Sequence, residues 1–226
     1  MKKFVPTYEG ILRKHTLTVP HCISECSGIR VFGRRIKSLV FSTDVAIIKN
    51  INADAVIAVY PFTPQPSIMQ AIISVSDMPV FCGIGGGLTN GARSTSMAAY
   101  AEQHGATGVV CNAFITEDAV RTIKETVEIP VVYTVVSELA DIDSKLQSGV
   151  DILNVSGASR TPQIVAVLRE RYPDLPIIAT GGPTDETILA TIRAGANAIT
   201  YTPPSNGELF AEDMESYRRW YMENEG

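Results

Sequence analysis

Residues 176–203, PIIATGGPTDETILATIRAGANAITYTP, hold one full period of the pattern on which the chain is built. An apolar run follows Pro176, two glycines end it, Thr184-Asp185-Glu186 opens a helix-like segment, and Gly195-Ala196-Asn197 leads into the next apolar run. A Pro after a short turn cannot continue a helix, and a Gly or Asn ends one in the left-handed conformation. Each strand start is therefore also a helix stop. Thr184 is a good cap, and the two carboxylates after it suit the positive end of a helix.

The same two kinds of start alternate from about residue 52 to residue 203. Asn52-Ala53-Asp54 leads into AVIAVY, Gly105-Ala106-Thr107 into GVVCNA and Gly149-Val150-Asp151 into ILNVSG, with MPVFCGI, IPVVYTVV and LPIIATGG falling between. Helix-like segments fill the gaps at 66–76, 92–104, 116–127, 138–148, 161–172 and 184–194. With Ser38 to Phe41 as a first strand and Asp44 capping a short helix, the count reaches eight strand and helix pairs. Apolar strands alternating with helices in this way predict a single (β/α)8 TIM barrel over 37–226, with strands beginning near 38, 55, 79, 108, 130, 152, 176 and 198. An open doubly wound sheet is the competing arrangement, and the regular run to an eighth strand favours closure. Residues 1–36 form an N-terminal extension that caps the barrel or reaches a neighbouring subunit, which leaves a homo-oligomer open. A last helix from about Glu208 carries Phe210, Met214, Tyr217 and Tyr221 on one side, a stripe that predicts packing onto the barrel.

Composition narrows the function. At 226 residues and 45% hydrophobic, the chain can bury a full core. Its apolar runs are strand-sized, and MKKFVPTYEG lacks the apolar core of a signal peptide, so the expectation is a cytoplasmic protein with no membrane partner. Four cysteines are too few for a disulfide framework in a chain of this size, and free buried thiols are expected. A net charge of -5 argues against nucleic acid, which needs an excess of Lys and Arg on some face. Arg30, Arg34, Arg35 and Lys37 form one basic run ahead of the first strand, a subunit or anion contact or a solvated face.

In such a barrel the ligand face is the C-terminal end of the strands. The loop FCGIGGGLTNG, 81–91, follows the third strand there, but its glycine offsets do not fit the dinucleotide fingerprint and no Lys follows for a Walker loop. No cofactor is expected. Its Gly85 and Gly86 instead offer backbone N–H groups and space for a substrate. Gly181-Gly182 after the seventh strand and Ser205-Asn206-Gly207 after the eighth stand where this architecture recurrently holds a phosphate, at loop N–H groups and a helix N-terminus. Gly157, after the sixth strand, joins them as a phosphate contact.

At Ile177-Ile178-Ala179 into Gly181-Gly182, and Ala194-Gly195-Ala196 into a last strand with a small polar loop, the chain resembles thiamine phosphate synthases, indole-glycerol-phosphate synthases and their relatives. GGPTDETILATIRAGANAITYTPPSNGELF (181–210) and VFCGIGGGLTNG (80–91) are more closely similar to the glycerol uptake operon antiterminator proteins. The resemblance spans roughly residues 38 to 212. It implies a barrel with a phosphate pocket and, from the antiterminators, a non-catalytic regulator that senses a metabolite. Where that family tends to carry a His and an Asp on the third strand, this chain has Cys82, Gly83 and Ile84.

Few groups are placed for catalysis. Lys49, Lys124 and Lys145 fall in helices and Lys37 precedes the first strand, so a Schiff-base mechanism is not expected. His104 ends a helix on the opposite face, and His15 and His21 lie outside the barrel. His21, Cys22 and Cys26 have no second pair of ligands, so no metal is expected. Cys82 and Cys111 have no His to activate them. Asp44 and Glu138 remain as candidate acid–base residues, each with a plainer reading as a helix cap and a first-turn carboxylate. Arg160, and less well Arg93, could clamp an anion, and Asn112, Asn154, Ser156 and Thr180 line the mouth. The expected function is binding of a small phosphorylated metabolite by an enzyme of the lyase or isomerase type, with a metabolite-sensing regulator as the alternative.

Overall fold

A computed structural model describes residues 16–224, together with Phe4, Pro6 and Tyr8. His15 and most of the chain before it lie outside the described residues. A hairpin of β1 (Ile29–Val31) and β2 (Arg34–Ile36) precedes eight parallel strands: β3 (Ser38–Phe41), β4 (Ala55–Ala58), β5 (Val80–Gly83), β6 (Gly108–Cys111), β7 (Val131–Val135), β8 (Ile152–Val155), β9 (Ile177–Thr180) and β10 (Ala198–Tyr201). They form a closed barrel, because β10 pairs with β3 through Ile199 with Ser38 and Tyr201 with Val40. The open sheet is thereby excluded. The helices are α1 (Val45–Lys49), α2 (Pro66–Val75), α3 (Ala92–Gln103), α4 (Glu117–Thr126), α5 (Ile142–Gln147), α6 (Thr161–Arg171), α7 (Asp185–Arg193) and α8 (Asn206–Asn224). The helix α5 begins later than the expected 138 because Asp141 caps it, its Oδ1 accepting from Ser144 N at 3.1 Å. Glu138 is left in a loop at the mouth.

Side chains alternate along each strand between two cores. Leu39, Ile57, Phe81, Val110, Val132 and Ile178 belong to the inner one, and the hairpin's Ile29, Val31 and Ile36 join it as a plug at the N-terminal end of the barrel. Phe81 fits there because its neighbour on β6 is Gly108, where an added Cβ would lie 2.6 Å from the Phe81 ring. Val56, Val109, Leu153, Ile177 and Ile199 face outward into the layer shared with the helices.

The repeated strand start has a structural reason at each position. Gly105, Gly149 and Gly195 have φ of +92°, +111° and +112°, the left-handed turn that ends the helix before them. The next residue, Ala106, Val150 or Ala196, is buried. At three of the four starts the third side chain reaches back to the start of the preceding strand. Asp54 Oδ2 accepts from Lys37 N at 2.8 Å and Ser38 N at 3.0 Å, Asp151 Oδ2 from Val131 N at 2.8 Å, and Asn197 Oδ1 from Ile177 N at 2.9 Å. These side chains act as clamps between neighbouring strands at the end of the barrel away from the mouth.

The segment before the hairpin also packs on the barrel. Leu17 N donates to Asn50 O at 2.8 Å, just after α1, and a 3-10 turn at His21–Glu25 lies against α7. Cys22, Ile23 and Cys26 enter the outer core. This stretch thus fills the gap between α7 and α1 that an eighth helix would otherwise cover. The expectation that the last helix packs its apolar side onto the barrel is corrected accordingly: no residue of α8 is buried.

Candidate functional site

The C-terminal ends of β7 to β10 carry polar residues on the inner face. Thr134, Asn154, Thr180 and Thr200 each lie two residues beyond an inner apolar residue: Val132, Ile152, Ile178 and Ala198. Thr134 pairs with Asn154 and Thr180 with Thr200 in the strand register. Asn154 Nδ2 makes only a long contact to Thr134 Oγ1 at 3.5 Å, while Asn154 Oδ1 and Thr200 Oγ1 are buried without a hydrogen-bond partner. A buried polar atom left unpaired costs about 1–3 kcal/mol. Both atoms lie in one layer at the mouth of the barrel. Asn154 and Thr180 are among the sequence candidates. Thr134 and Thr200 are not, although the change from Val, Ile and Ala to Thr and Asn at the strand ends is visible in the sequence.

The loop after β8 forms one wall. Gly157 N donates to Thr161 Oγ1 at 3.0 Å, and Thr161 Oγ1 lies 3.2 Å from Thr180 Oγ1, which ties this loop to the end of β9 and hence to Gly181. Ala158 has φ of +51°, a strained conformation for a residue with a Cβ. A Cβ at Gly157 would meet Ile164 Cδ1 at 2.4 Å, so a side chain there would displace the tip of Ile164. Arg160 forms an ion pair with Glu138 from the loop after β7. The fold brings these two candidates together, and each is engaged by the other.

The remaining candidates are held by their own neighbours. Asp44 Oδ1 accepts from Ala46 N at 2.9 Å and Ile47 N at 3.3 Å as the cap of α1, and its Oδ2 accepts from Asn206 Nδ2 at 2.5 Å. Asn112 Nδ2 donates to Gly85 O at 2.6 Å and Thr89 O at 3.2 Å, so it shapes the glycine loop. The space beside those glycines is filled: a Cβ at Gly85 would lie 2.7 Å from Asn112 N, and one at Gly86 would lie 2.0 Å from Phe62 O. The run of glycines lets two loops touch backbone to backbone.

At the expected phosphate loops, Gly181 packs against Ile188 and Ile199, and Gly182 has φ of +84° with Thr187 Oγ1 2.6 Å from an added Cβ. Thr187 belongs to the capping box of α7, so a side chain at Gly182 would strain the fold as well as the site. Asp185 and Glu186 sit in the first turn of α7. Ser205 N and Ser205 Oγ both donate to Glu208 Oε2 at 2.7 Å, and these bonds hold the Glu208 carboxyl below the usual carboxylate range. The N-terminus of α8 therefore already faces a carboxylate, α7 carries two more in its first turn, and Arg160 is the cation of the neighbouring wall.

The groups set aside from the sequence are placed as expected. His104 Nδ1 lies 2.8 Å from Tyr100 O and its ring stacks on Tyr100. Lys145 is buried between helices, paired with Glu117 at 2.7 Å, which keeps that carboxyl below its ordinary range. Arg93 lines a cleft of about 360 Å³ with Thr63, Thr89 and Ser96 between the loops after β4 and β5. A second cleft, of about 290 Å³, lies under the hairpin at the opposite end from the mouth and includes Arg30, Phe32, Lys124 and Asp151. Among the described residues no three His, Cys, Asp or Glu converge as a metal site, and no helix is long and apolar enough to cross a membrane.

All four cysteines are free and buried. Burial pushes the thiols of Cys82 and Cys111 up to about 12, so both stay protonated at neutral pH. Ellman's reagent at pH 8 is expected to leave these two unlabelled in the native protein and to label them only as fast as the barrel unfolds. Rapid native labelling of either would restore it as a nucleophile.

No protein-family model matches the chain, and no curated protein matches it in sequence. Solved structures do match in fold. A phosphonopyruvate hydrolase in complex with oxalate and Mg++ aligns with a TM-score of 0.58 at 12% identity, over 84% of this chain and 94% of that one. A putative phosphonomutase from Burkholderia cenocepacia J2315 aligns with a TM-score of 0.59 at 14% identity, over 90% and 96%. The glycerol uptake operon antiterminator regulatory protein from Listeria monocytogenes str. 4b F2365 aligns with a TM-score of 0.57 at 13% identity, over 75% and 92%. At such identities the likenesses carry the barrel fold and nothing finer.

Proposed function

We propose that the chain binds a small phosphorylated metabolite at the C-terminal mouth of the barrel. The phosphoryl group rests between the Gly157–Arg160 loop and Gly181–Gly182, with Ser205 beyond, and the remainder of the ligand lies on Thr134, Asn154, Thr180 and Thr200. The observation that carries this reading is the pair of buried, unpartnered atoms Asn154 Oδ1 and Thr200 Oγ1. A ligand hydroxyl can donate to Asn154 Oδ1, and a ligand hydroxyl or carboxylate can accept from Thr200 Oγ1. Support for a phosphorus-containing ligand comes from the barrels that share the fold, among them a phosphonopyruvate hydrolase and a putative phosphonomutase. Among the described residues no three His, Cys, Asp or Glu converge, and the roles below belong to the chain's own residues.

Turnover of the lyase or isomerase type rests on Glu138. When the ligand's anion draws Arg160 away, the Glu138 carboxylate is released beside the ligand and can accept a proton. Asp44 is a weaker base, since both its oxygens are already bonded. The sensing alternative is favoured by that same shortage of free acid–base groups, and it needs only the binding half of this scheme.

Thr200→Val tests the site. Valine keeps the shape and removes the unpaired hydroxyl, so the variant is expected to be more stable by about 1 kcal/mol and to bind phosphorylated ligands about tenfold more weakly. Calorimetric unfolding together with titration of a panel of sugar phosphates and phosphonates measures both. A variant that is less stable and binds like the parent removes Thr200 from the site.

A further inference from the structure

Beyond its first turn, where Asn206 bonds Asp44 and Leu209 packs on the outer core, the long helix α8 carries an exposed apolar stripe. Phe210, Met214, Tyr217 and Tyr221 follow one another at intervals of four, three and four residues, the spacing of a coiled-coil seam. All four are exposed, Phe210 by 65% and Tyr217 by 57%, and Trp220 flanks them at 56%. Their own barrel offers no place for them, because residues 16–26 occupy the gap between α7 and α1. A contiguous apolar stripe of this size is a contact surface.

We propose that this stripe pairs with α8 of a second copy of the chain, antiparallel, about a two-fold axis passing between Glu215 and Ser216. Such pairing sets Phe210 level with the partner subunit's Tyr221 and Met214 level with the partner subunit's Tyr217, so every seam layer joins two large apolar side chains. Trp220 comes level with the small Ala211 of the partner subunit. The acidic pair Glu212 and Asp213 comes level with Arg219 and Arg218 of the partner subunit. A parallel pair would instead align Glu208, Glu212, Asp213 and Glu215 with their own copies, four like-charge levels in succession. The antiparallel contact is isologous, as a two-fold dimer requires. If each of the five large side chains on both helices loses about half of the 150–250 Å² that an aromatic residue can bury, the pair removes on the order of 1,000 Å² from water. That reaches the threshold of a specific interface.

The test combines oligomeric state with cross-linking on the full chain. By light scattering after gel filtration, the parent is expected to be a dimer at micromolar concentration and Tyr217→Glu a monomer with the parent's circular dichroism, since no α8 side chain is buried in the single chain. Phe210→Cys mixed with Tyr221→Cys is expected to form a disulfide-linked heterodimer under mild oxidation. Neither variant alone should cross-link, because residue 210 lies about 16 Å along the axis from its own copy, beyond disulfide reach. A monomeric parent, a dimer that survives Tyr217→Glu, or cross-links formed by either single variant would overturn the proposal. So would a dimer lost in Tyr217→Glu whose mixed cysteine variants do not cross-link, which would place α8 on the partner's barrel.

Discussion

Replacing Asn197 by Ala is expected to destabilise the barrel by about 2–4 kcal/mol, most of it from one backbone N–H. Asn197 Oδ1 accepts from Ile177 N at 2.9 Å and from Arg169 Nη2 at 2.7 Å, and its Nδ2 donates to Ser27 Oγ at 2.9 Å. Ile177 is fully buried at the start of β9, so without Asn197 its N–H has neither an acceptor nor water. Arg169 loses less, because it keeps bonds to Gly195 O, Tyr172 O and Pro173 O. For a chain of this length 1 kcal/mol moves the melting temperature by roughly 2–4 °C, so a fall of roughly 5–15 °C should appear in scanning calorimetry. Asn197→Asp keeps the acceptor and adds a charge for Arg169, and it should lose less than about 1 kcal/mol. A fall of only a degree or two for Asn197→Ala would show that the clamp contributes nothing, and would weaken the same assignment at Asp54 and Asp151.

These clamps also show what the sequence did and did not disclose. The Gly-apolar-polar starts reveal where helices stop and strands begin, and the eight strands begin within one residue of the expected positions. Stops and starts are local, set by backbone conformation at one or two residues. The role of the third residue is a contact between strands some twenty residues apart, and only its repeated polarity hints at it. The glycine loop at 83–91 has the same limit. A demand for backbone without side chains is legible, but the contact with Phe62 and Asn112 that creates the demand is not. The destination of α8 is not legible locally, because residues 16–26, far from it in sequence, occupy the groove its stripe would fit. Within the mouth, candidate residues could be named from their places after each strand. Their pairing, Arg160 with Glu138 and Ser205 with Glu208, depends on loop conformations that no local pattern encodes.

The Arg160–Glu138 pair gives the second large effect, and its value lies in the opposite signs expected of the two partners. In the free protein the guanidinium is held by a carboxylate, and on the proposed reading a bound phosphoryl group takes that place. Arg160→Gln removes a charge-assisted hydrogen bond to the anion, worth about 1.5–3 kcal/mol. Binding of a phosphate ester should therefore weaken by about 10- to 100-fold in calorimetric titration. Glu138→Gln removes the competitor and a repelling charge. An exposed ion pair of this kind is worth about 0–1 kcal/mol, so binding should tighten by up to about fivefold. If the pair only fastens two loops together, both variants should lower the melting temperature and leave affinity unchanged, and the anion then binds elsewhere. Once a ligand is found, Glu138→Gln also divides the two functional readings. A base withdrawn from an enzyme lowers kcat by about 10²- to 10⁴-fold while affinity rises. A sensor that uses Arg160 alone gains affinity and has no turnover to lose.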